Sequence, residues 1–417
     1  MADANDFIAL SVPNLKGNEL KYITEAVETE WVSTAGPYVT KFEEELAKYV
    51  GTKRAVSCQS GTAGLHTSLM VLGVKPDDMV IVPTLTFIAA VNPVKYIGAE
   101  PVFMDCDDSL CMDPDKLREF CEKECDFEGA KLIHKASGKQ VSAIVVVHVF
   151  GNMADMEAIM DIAAEYKLKV LEDATEAIGT YYTAGKYAGK YAGTIGDMGV
   201  YSFNGNKIIT TGGGGMIVSN NEDYLDHAKH LTTQAKADEA NFIHDEIGYN
   251  YRMTNLQAAL GLAQLEQLED FIKVKADNYE RYLKAFGVYL DSYKTQDREG
   301  LAAGNVCAGS DAEHDTQGLS ILPFREGIRT NHWFYSLYVD KPYELTQRQL
   351  IDKLKSQKIQ TRPIWGLIHE QKPYEGSLTY KIEVAKRYWE HIVNLPCSTN
   401  LTAEGVDRVV EAIRQHD

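Results

Sequence analysis

Lys207 stands in the stretch GVYSFNGNKIITTGGGG, residues 199–215, between an apolar strand-like run and four consecutive glycines. A lysine amine is a nucleophile toward carbonyl carbon, and one placed between two core strands needs a specific partner. Asp173 closes KVLED, where a carboxylate can keep a basic nitrogen protonated; taken alone, it reads as a turn or cap residue. Ser60, Gly61, Thr62 and Ala63, in CQSGTAGLHTSL, mark the point where the strand-like AVSC gives way to a helical pattern. Free backbone N–H groups beside two hydroxyls suit a phosphate, and equally an ordinary N-cap. Phe87, in PTLTFIAA, is either a core ring or a stacking face.

These groups need elements to present them. Strand-like apolar runs at 79–83, 101–105, 143–151, 169–174, 198–203 and 215–220 alternate with helical patterns such as GTAGLHTSLMVLGV and MEAIMDIAAEYKL. Their near-continuous Val/Ile content predicts strands buried on both faces, hence an α/β fold with a mostly parallel sheet flanked by helices. Such sheets gather ligands at the C-terminal ends of their strands, where Asp173 and Lys207 fall. A long helix is expected through Leu256, Leu260, Ala263, Leu268, Phe271 and Ile272, bridging to a second domain. The expected division is a large domain over residues 1–284 and a smaller C-terminal α/β domain over 285–417. The latter has strands in SILPF, WFYSLYVD and KIQTRP, a helix in TQRQLIDKLKSQ and two closing helices; residues 292–318 read as a loop.

With 417 residues and 45% hydrophobic content, the chain can bury a large core. Its 42 basic and 60 acidic residues give a net charge of −18, and no basic stripe interleaved with aromatics appears, so nucleic acid is not an expected partner. An anionic small molecule must then be held by local donors. No apolar run reaches membrane-span length, and MADANDFIALSVPNLKGNEL is acidic and polar where a signal peptide is basic and then apolar; the expected location is the cytoplasm, with no membrane partner. Seven cysteines without a disulfide-like framework fit reduced thiols, and the spacings among Cys106, Cys111, Cys121 and Cys125 lack the tight knuckles of a zinc site, so no metal is expected.

Together, the lysine, the carboxylate, the phosphate cup and the aromatic face meet the needs of pyridoxal phosphate: a Schiff-base amine, a partner for the ring nitrogen, a phosphate site and a stacking surface. The motifs SGTAGL, PTLTFIAA, EDATEAIG, YSFNGNK with its trailing glycines, and GYNYRMTNLQAALGLAQL resemble, in order and spacing, the DegT/StrS sugar-aminotransferase family of fold-type I pyridoxal-phosphate enzymes. The resemblance implies that Lys207 holds the cofactor aldehyde and shuttles the proton. It also implies that Asp173 pairs with the ring nitrogen, that Thr62, Ala63 and Ser202 hold the phosphate, and that Phe87 stacks on the ring. Asn250 and Arg252 resemble residues that reach into the neighbouring subunit's site, which implies a homodimer with shared active sites. Arg329, Arg362, Trp365 and His369 are the implied contacts to the sugar nucleotide or donor carboxylate.

Glu176 stands beside the expected ring position where many members carry glutamine, and Asn204 where many carry an aromatic or small residue. The T-E pair and SFNGNK look most like the branch that aminates the C4 ketone of a UDP-linked 4-keto-6-deoxy-N-acetylhexosamine, as on bacillosamine-type or legionaminic-type routes. Glutamate would give its amine, passing through the pyridoxamine phosphate form, and leave as 2-oxoglutarate. Alternatives are amination of another nucleotide-linked ketosugar, such as a dTDP-linked 3-ketosugar, and a non-catalytic regulator keeping the fold. A sugar 3-dehydratase is associated with histidine at the lysine position, and this chain has Lys207. A P-loop or a dinucleotide fingerprint fails on register: Ile208 follows Lys207, and Met216 and Ile217 follow the glycines.

Overall fold

A computed structural model describes residues 7–289 and 318–415. Seven strands form the body of a ten-stranded central sheet: β1 Ala55–Cys58, β2 Met79–Pro83, β3 Glu100–Met104, β4 Gln140–Val147, β5 Lys169–Asp173, β6 Met198–Ser202 and β7 Gly215–Val218. Their spatial order is β1-β7-β6-β5-β4-β2-β3. β7 runs antiparallel to both neighbours, whereas β6, β5, β4, β2 and β3 are mutually parallel. Ile81, Val82, Ile144, Val145, Val146, Val170 and Val200 are fully buried, as expected for strands covered by helices on both faces.

Two expected elements take a different shape. The strand foreseen over 143–151 ends at Val147; Phe150 then adopts φ 58° inside a short turn, Val149–Gly151. The long bridging helix is two helices, α1 Asn255–Leu265 and α2 Leu268–Phe286. At the junction, the amides of Gln264 and Gln267 each donate to the carboxylate of Glu19 at 2.6 Å, and Glu19 itself is buried. A buried acceptor off the helix axis thus takes the polar side chains where apolar periodicity alone predicts continuation.

A second, four-stranded antiparallel sheet has the order Leu319–Ile321, Tyr335–Val339, Ile392–Leu395, Arg362–Pro363. KIQTRP contributes only its last two residues to that sheet, because Ile359 pairs with Ile8 of the N-terminal segment. Helices Gln347–Ser356, Val384–His391 and Ala403–Arg414 pack against this region. The expected loop over 292–318 lies outside the described residues apart from Gly318.

The C-terminal part is tied to the central sheet at several points. Leu378–Tyr380 extends the sheet as a parallel strand on β3. Asp105, fully buried just after β3, accepts the amides of Glu383, Val384 and Ala385 at 2.9, 2.9 and 2.8 Å, and Lys116 Nζ at 2.6 Å. Arg325 donates to Asp107 at 2.7 Å and to the Met153 carbonyl at 2.9 Å.

Candidate active site

At the C-terminal ends of β1, β2, β4, β5 and β6 lies a cavity of about 580 Å³. β1 leads into a helix, Gly61–Val71, whose N-cap is Ser60: its hydroxyl accepts the Ala63 amide at 3.1 Å and its carbonyl accepts Gly64 at 3.0 Å. Among the described residues, the amides of Gly61 and Thr62 donate to no protein acceptor, so the first turn offers two free donors and the positive end of the helix dipole. Glycine at 61 is a packing requirement. A β-carbon there would lie 2.9 Å from Ser202 Cβ and 3.0 Å from a Thr175 methyl. A β-carbon at Gly215 would lie 2.7 Å from the Ser60 carbonyl carbon, so a bare backbone lets β7 approach this turn.

Lys207 is carried by a loop closed at its neck, where the Phe203 amide donates to Gly214 O and the Thr211 amide to Phe203 O, both at 2.9 Å. Its Nζ lies 3.4 Å from Glu176 Oε1 and 4.1 Å from the centre of the Trp333 ring. Trp333 is fixed in turn, its indole N–H donating to the Asn206 carbonyl at 3.0 Å. The other Glu176 oxygen accepts the Phe150 amide at 2.9 Å, which accounts for the left-handed turn there. Burial pushes the Glu176 carboxyl up to about 7, opposed by the charge of Lys207.

Asp173 is buried, and its Oδ1 accepts the Thr175 amide at 3.1 Å. Burial raises its carboxyl above the ordinary range, while Thr175 and Lys207 pull it down. Behind it, the Ala154 amide donates to His148 Nδ1 at 3.2 Å, so the ring proton sits on Nε2 and is donated to Glu172 Oε2 at 2.8 Å. Glu172 also accepts the amides of Gly193, Ile195 and Gly196, a saturated buried carboxylate that fixes the strand end carrying Asp173.

Thr62, Phe87, Asp173, Glu176, Ser202, Lys207, Arg362 and Trp365 all line the cavity. Ala63 is buried beneath it with its amide used by Ser60. Asn250 and Arg252 bond to each other at 3.2 Å outside the lining. Arg329 and His369 also lie outside the lining of this cavity. Arg329 is captured by the Glu269 carboxylate and the Gly179 carbonyl, beside a separate cavity. His369 is half-buried, with Nδ1 2.6 Å from Thr84 Oγ1, and burial lowers its pKa. Sequence reasoning missed Trp333, Gln360 and Asn394, which also line the cavity. Only the position of Trp333 next to a core strand hinted at a role.

The model of the DegT/DnrJ/EryC1/StrS aminotransferase family matches residues 13–300 and 312–414. The chain is 35% identical to EpsN of Bacillus subtilis (strain 168), covering 97% of this chain and 95% of that one. It is 36% identical to the GDP-perosamine synthase of Escherichia coli O157:H7, covering 98% of each. The crystal structure of the aminotransferase TlmJ from Streptoalloteichus hindustanus superposes with a TM-score of 0.81 at 25% identity, covering 98% of each chain. The family uses pyridoxal phosphate, and the residues present fit that group: two free helix-terminal amides over a glycine cradle for the phosphate, a buried carboxylate for the ring nitrogen, and a lysine inside the cavity. The chain therefore belongs to the DegT/DnrJ/EryC1/StrS family and is a pyridoxal-phosphate-dependent sugar aminotransferase.

Proposed function

We propose that the chain transfers the amino group of glutamate to the C4 ketone of a UDP-linked 4-keto-6-deoxy-N-acetylhexosamine. The observation that carries the reading is the position of Lys207 Nζ between Glu176 and Trp333, in a cavity whose other wall holds Arg362, Gln360 and Asn394. When bound, the cofactor supplies an electron sink and carries the amine between the two half-reactions. Asp173 would keep a proton on the ring nitrogen, Gly61, Thr62 and Ser202 would hold the phosphate, and the exposed Phe87 would offer a stacking face, all of them lining the cavity. Lys207 would take the proton from the glutamate Cα and return a proton to the sugar carbon. Its indole neighbour and the Glu176 carboxylate restrict where that amine can point. Arg362, exposed at the cavity wall, offers a fork to the diphosphate of the sugar nucleotide.

A GDP-linked ketosugar is the second reading, favoured by the 36% identity to a GDP-perosamine synthase. Incubation with glutamate and either UDP-linked or GDP-linked 4-keto-6-deoxy sugars, with mass analysis of the product, separates the two. Amination of the GDP sugar alone rejects the UDP reading and keeps the aminotransferase. Lys207→Ala is expected to fold and to yield no covalently attached pyridoxyl group after borohydride reduction; a reducible adduct in that variant moves the cofactor lysine elsewhere.

The working unit in this proposal is a homodimer with Asn250 and Arg252 serving the opposite site. Their position outside the cavity lining of their own chain supports it. Mixing Lys207→Ala with Arg252→Ala chains is then expected to restore one intact site per hybrid. Verified hybrids without activity place all the groups in one chain.

A further inference from the structure

Away from the cavity, the helix Glu222–Thr232 carries His227 and His230 one turn apart, and the chain that follows brings Asp245 and Glu246 back to the same spot. His230 Nε2 lies 2.7 Å from Asp245 Oδ1 and 3.6 Å from Glu246 Oε1. His227 Nε2 lies 2.9 Å from that same Glu246 oxygen. The ligand atoms of His230, Asp245 and Glu246 fall within 4.8 Å of one another. Neighbouring cations are engaged elsewhere: Lys229 with Glu43 at 3.0 Å, Arg54 with Asp226 at 2.6 Å, and Lys53 with Glu222 at 3.4 Å. The adjacent His244 turns its Nδ1 to the Gln234 carbonyl at 2.7 Å. Two carboxylates are therefore gathered at one point and faced by two imidazole nitrogens.

Donors gathered this closely can be shared by one divalent cation. Two imidazoles with two carboxylates form a donor set for zinc and its transition-metal neighbours, whereas magnesium and calcium take oxygen ligands. Zinc bonds of about 2.0–2.2 Å place four tetrahedral ligand atoms roughly 3.3–3.6 Å apart; the ligand atoms of His230, Asp245 and Glu246 already lie within 4.8 Å of one another, and His227, which meets Glu246 at 2.9 Å, joins them by a side-chain rotation. We propose that His227, His230, Asp245 and Glu246 form a zinc-class metal site that staples this helix to the hairpin Lys236–Asp238/Ile243–His244. The staple has a structural consequence near the cavity. The hairpin leads into Tyr249, whose amide donates to Leu231 O at 2.7 Å, and Tyr251, whose carbonyl accepts the Gln59 amide at 2.7 Å beside the Ser60 turn. Holding the hairpin thus holds the chain that abuts the phosphate-binding end of the site.

The test uses full-length, untagged protein loaded with cofactor, stripped with EDTA and titrated calorimetrically with zinc chloride. One zinc per chain is expected, with magnesium at millimolar levels not competing. In the presence of zinc, hydrogen exchange of amides 233–250 should slow. The double variant H227A/H230A should lose at least about tenfold in zinc affinity and show no zinc-dependent protection. Equal cofactor absorbance and equal thermal midpoints in EDTA show that the variant is folded; Asp245→Asn supplies a second route to the same loss. Undiminished stoichiometric binding in both variants overturns the site, as does no binding by the wild type up to about 100 µM zinc. Displacement of zinc by magnesium overturns the role of the imidazoles.

Discussion

Glu176 is the residue whose identity most affects the chemistry beside Lys207. Its carboxyl rises from an ordinary value of 4.5 to about 7 because the group is buried, with only Lys207 and the Phe150 amide offsetting the desolvation. The folded state therefore binds a proton more tightly than the unfolded chain. Stability from this group is fully present below pH 4.5 and is lost as pH rises to about 7. Two and a half pH units correspond to at most roughly 3–4 kcal/mol. Glu176→Gln should remove that slope: relative to wild type, the cofactor-free variant gains stability at pH 8 compared with pH 5 in denaturant unfolding. Parallel pH profiles for the two proteins would remove the buried proton from Glu176. Asp173→Asn is expected to keep cofactor yet slow both half-reactions, by several kcal/mol of transition-state stabilisation where a fixed charge is lost. Single-turnover spectra with glutamate measure it, and wild-type rates would take Asp173 out of the reaction.

At the scale of elements, the site depends on how closely β7, β6 and the helix after β1 approach one another. Gly61→Val forces a branched side chain against Ser202 and Thr175, contacts already at 2.9 and 3.0 Å for a β-carbon alone. Overpacking of this kind costs roughly 1–3 kcal/mol, and the displaced helix end should weaken cofactor retention more than it lowers stability. Ser60→Ala removes the acceptor for the Ala63 amide and should cost about 1 kcal/mol. Thermal unfolding together with the cofactor dissociation constant separates the two effects; unchanged cofactor affinity in Gly61→Val would show that the cradle is not the phosphate site.

For the whole molecule, the attachment of the C-terminal part to the central sheet rests on buried polar groups with saturated partners. Asp105 accepts three backbone amides at the start of the Val384–His391 helix and the Lys116 ammonium, with none of its side chain exposed. Asp105→Ala leaves those donors without an acceptor and should destabilise the fold by about 3–5 kcal/mol, since removing one partner of a buried ionic network strands the other. Hydrogen exchange should localise the loss to 378–391 and to the edge at β3. A uniform loss of protection across the central sheet would instead make Asp105 part of the global core. Among the described residues, no helix is long and apolar enough to cross a membrane.

The sequence by itself determined the order of the strands along the chain, their burial and the position of Asp173 and Lys207 at strand ends. Continuous Val/Ile runs bounded by turn residues leave few alternatives to buried strands. It determined the helix start at Ser60 as well, since a serine before a small-residue helical pattern is a local N-cap signal. Long-range partners lay beyond it. That β7 runs antiparallel between β1 and β6, that Glu19 interrupts an otherwise periodic helix at Gln267, and that Glu269 captures Arg329 all depend on groups distant in the chain. Trp333 over Lys207, with Gln360 and Asn394 on the far wall, belongs to the same class: each residue type is ordinary where it stands, and only the packing of the second sheet against the first turns it toward the cavity. Local patterns fix which segments become strands and helices because backbone geometry and side-chain burial act over a few residues; the contacts that complete the site are set by where those elements pack.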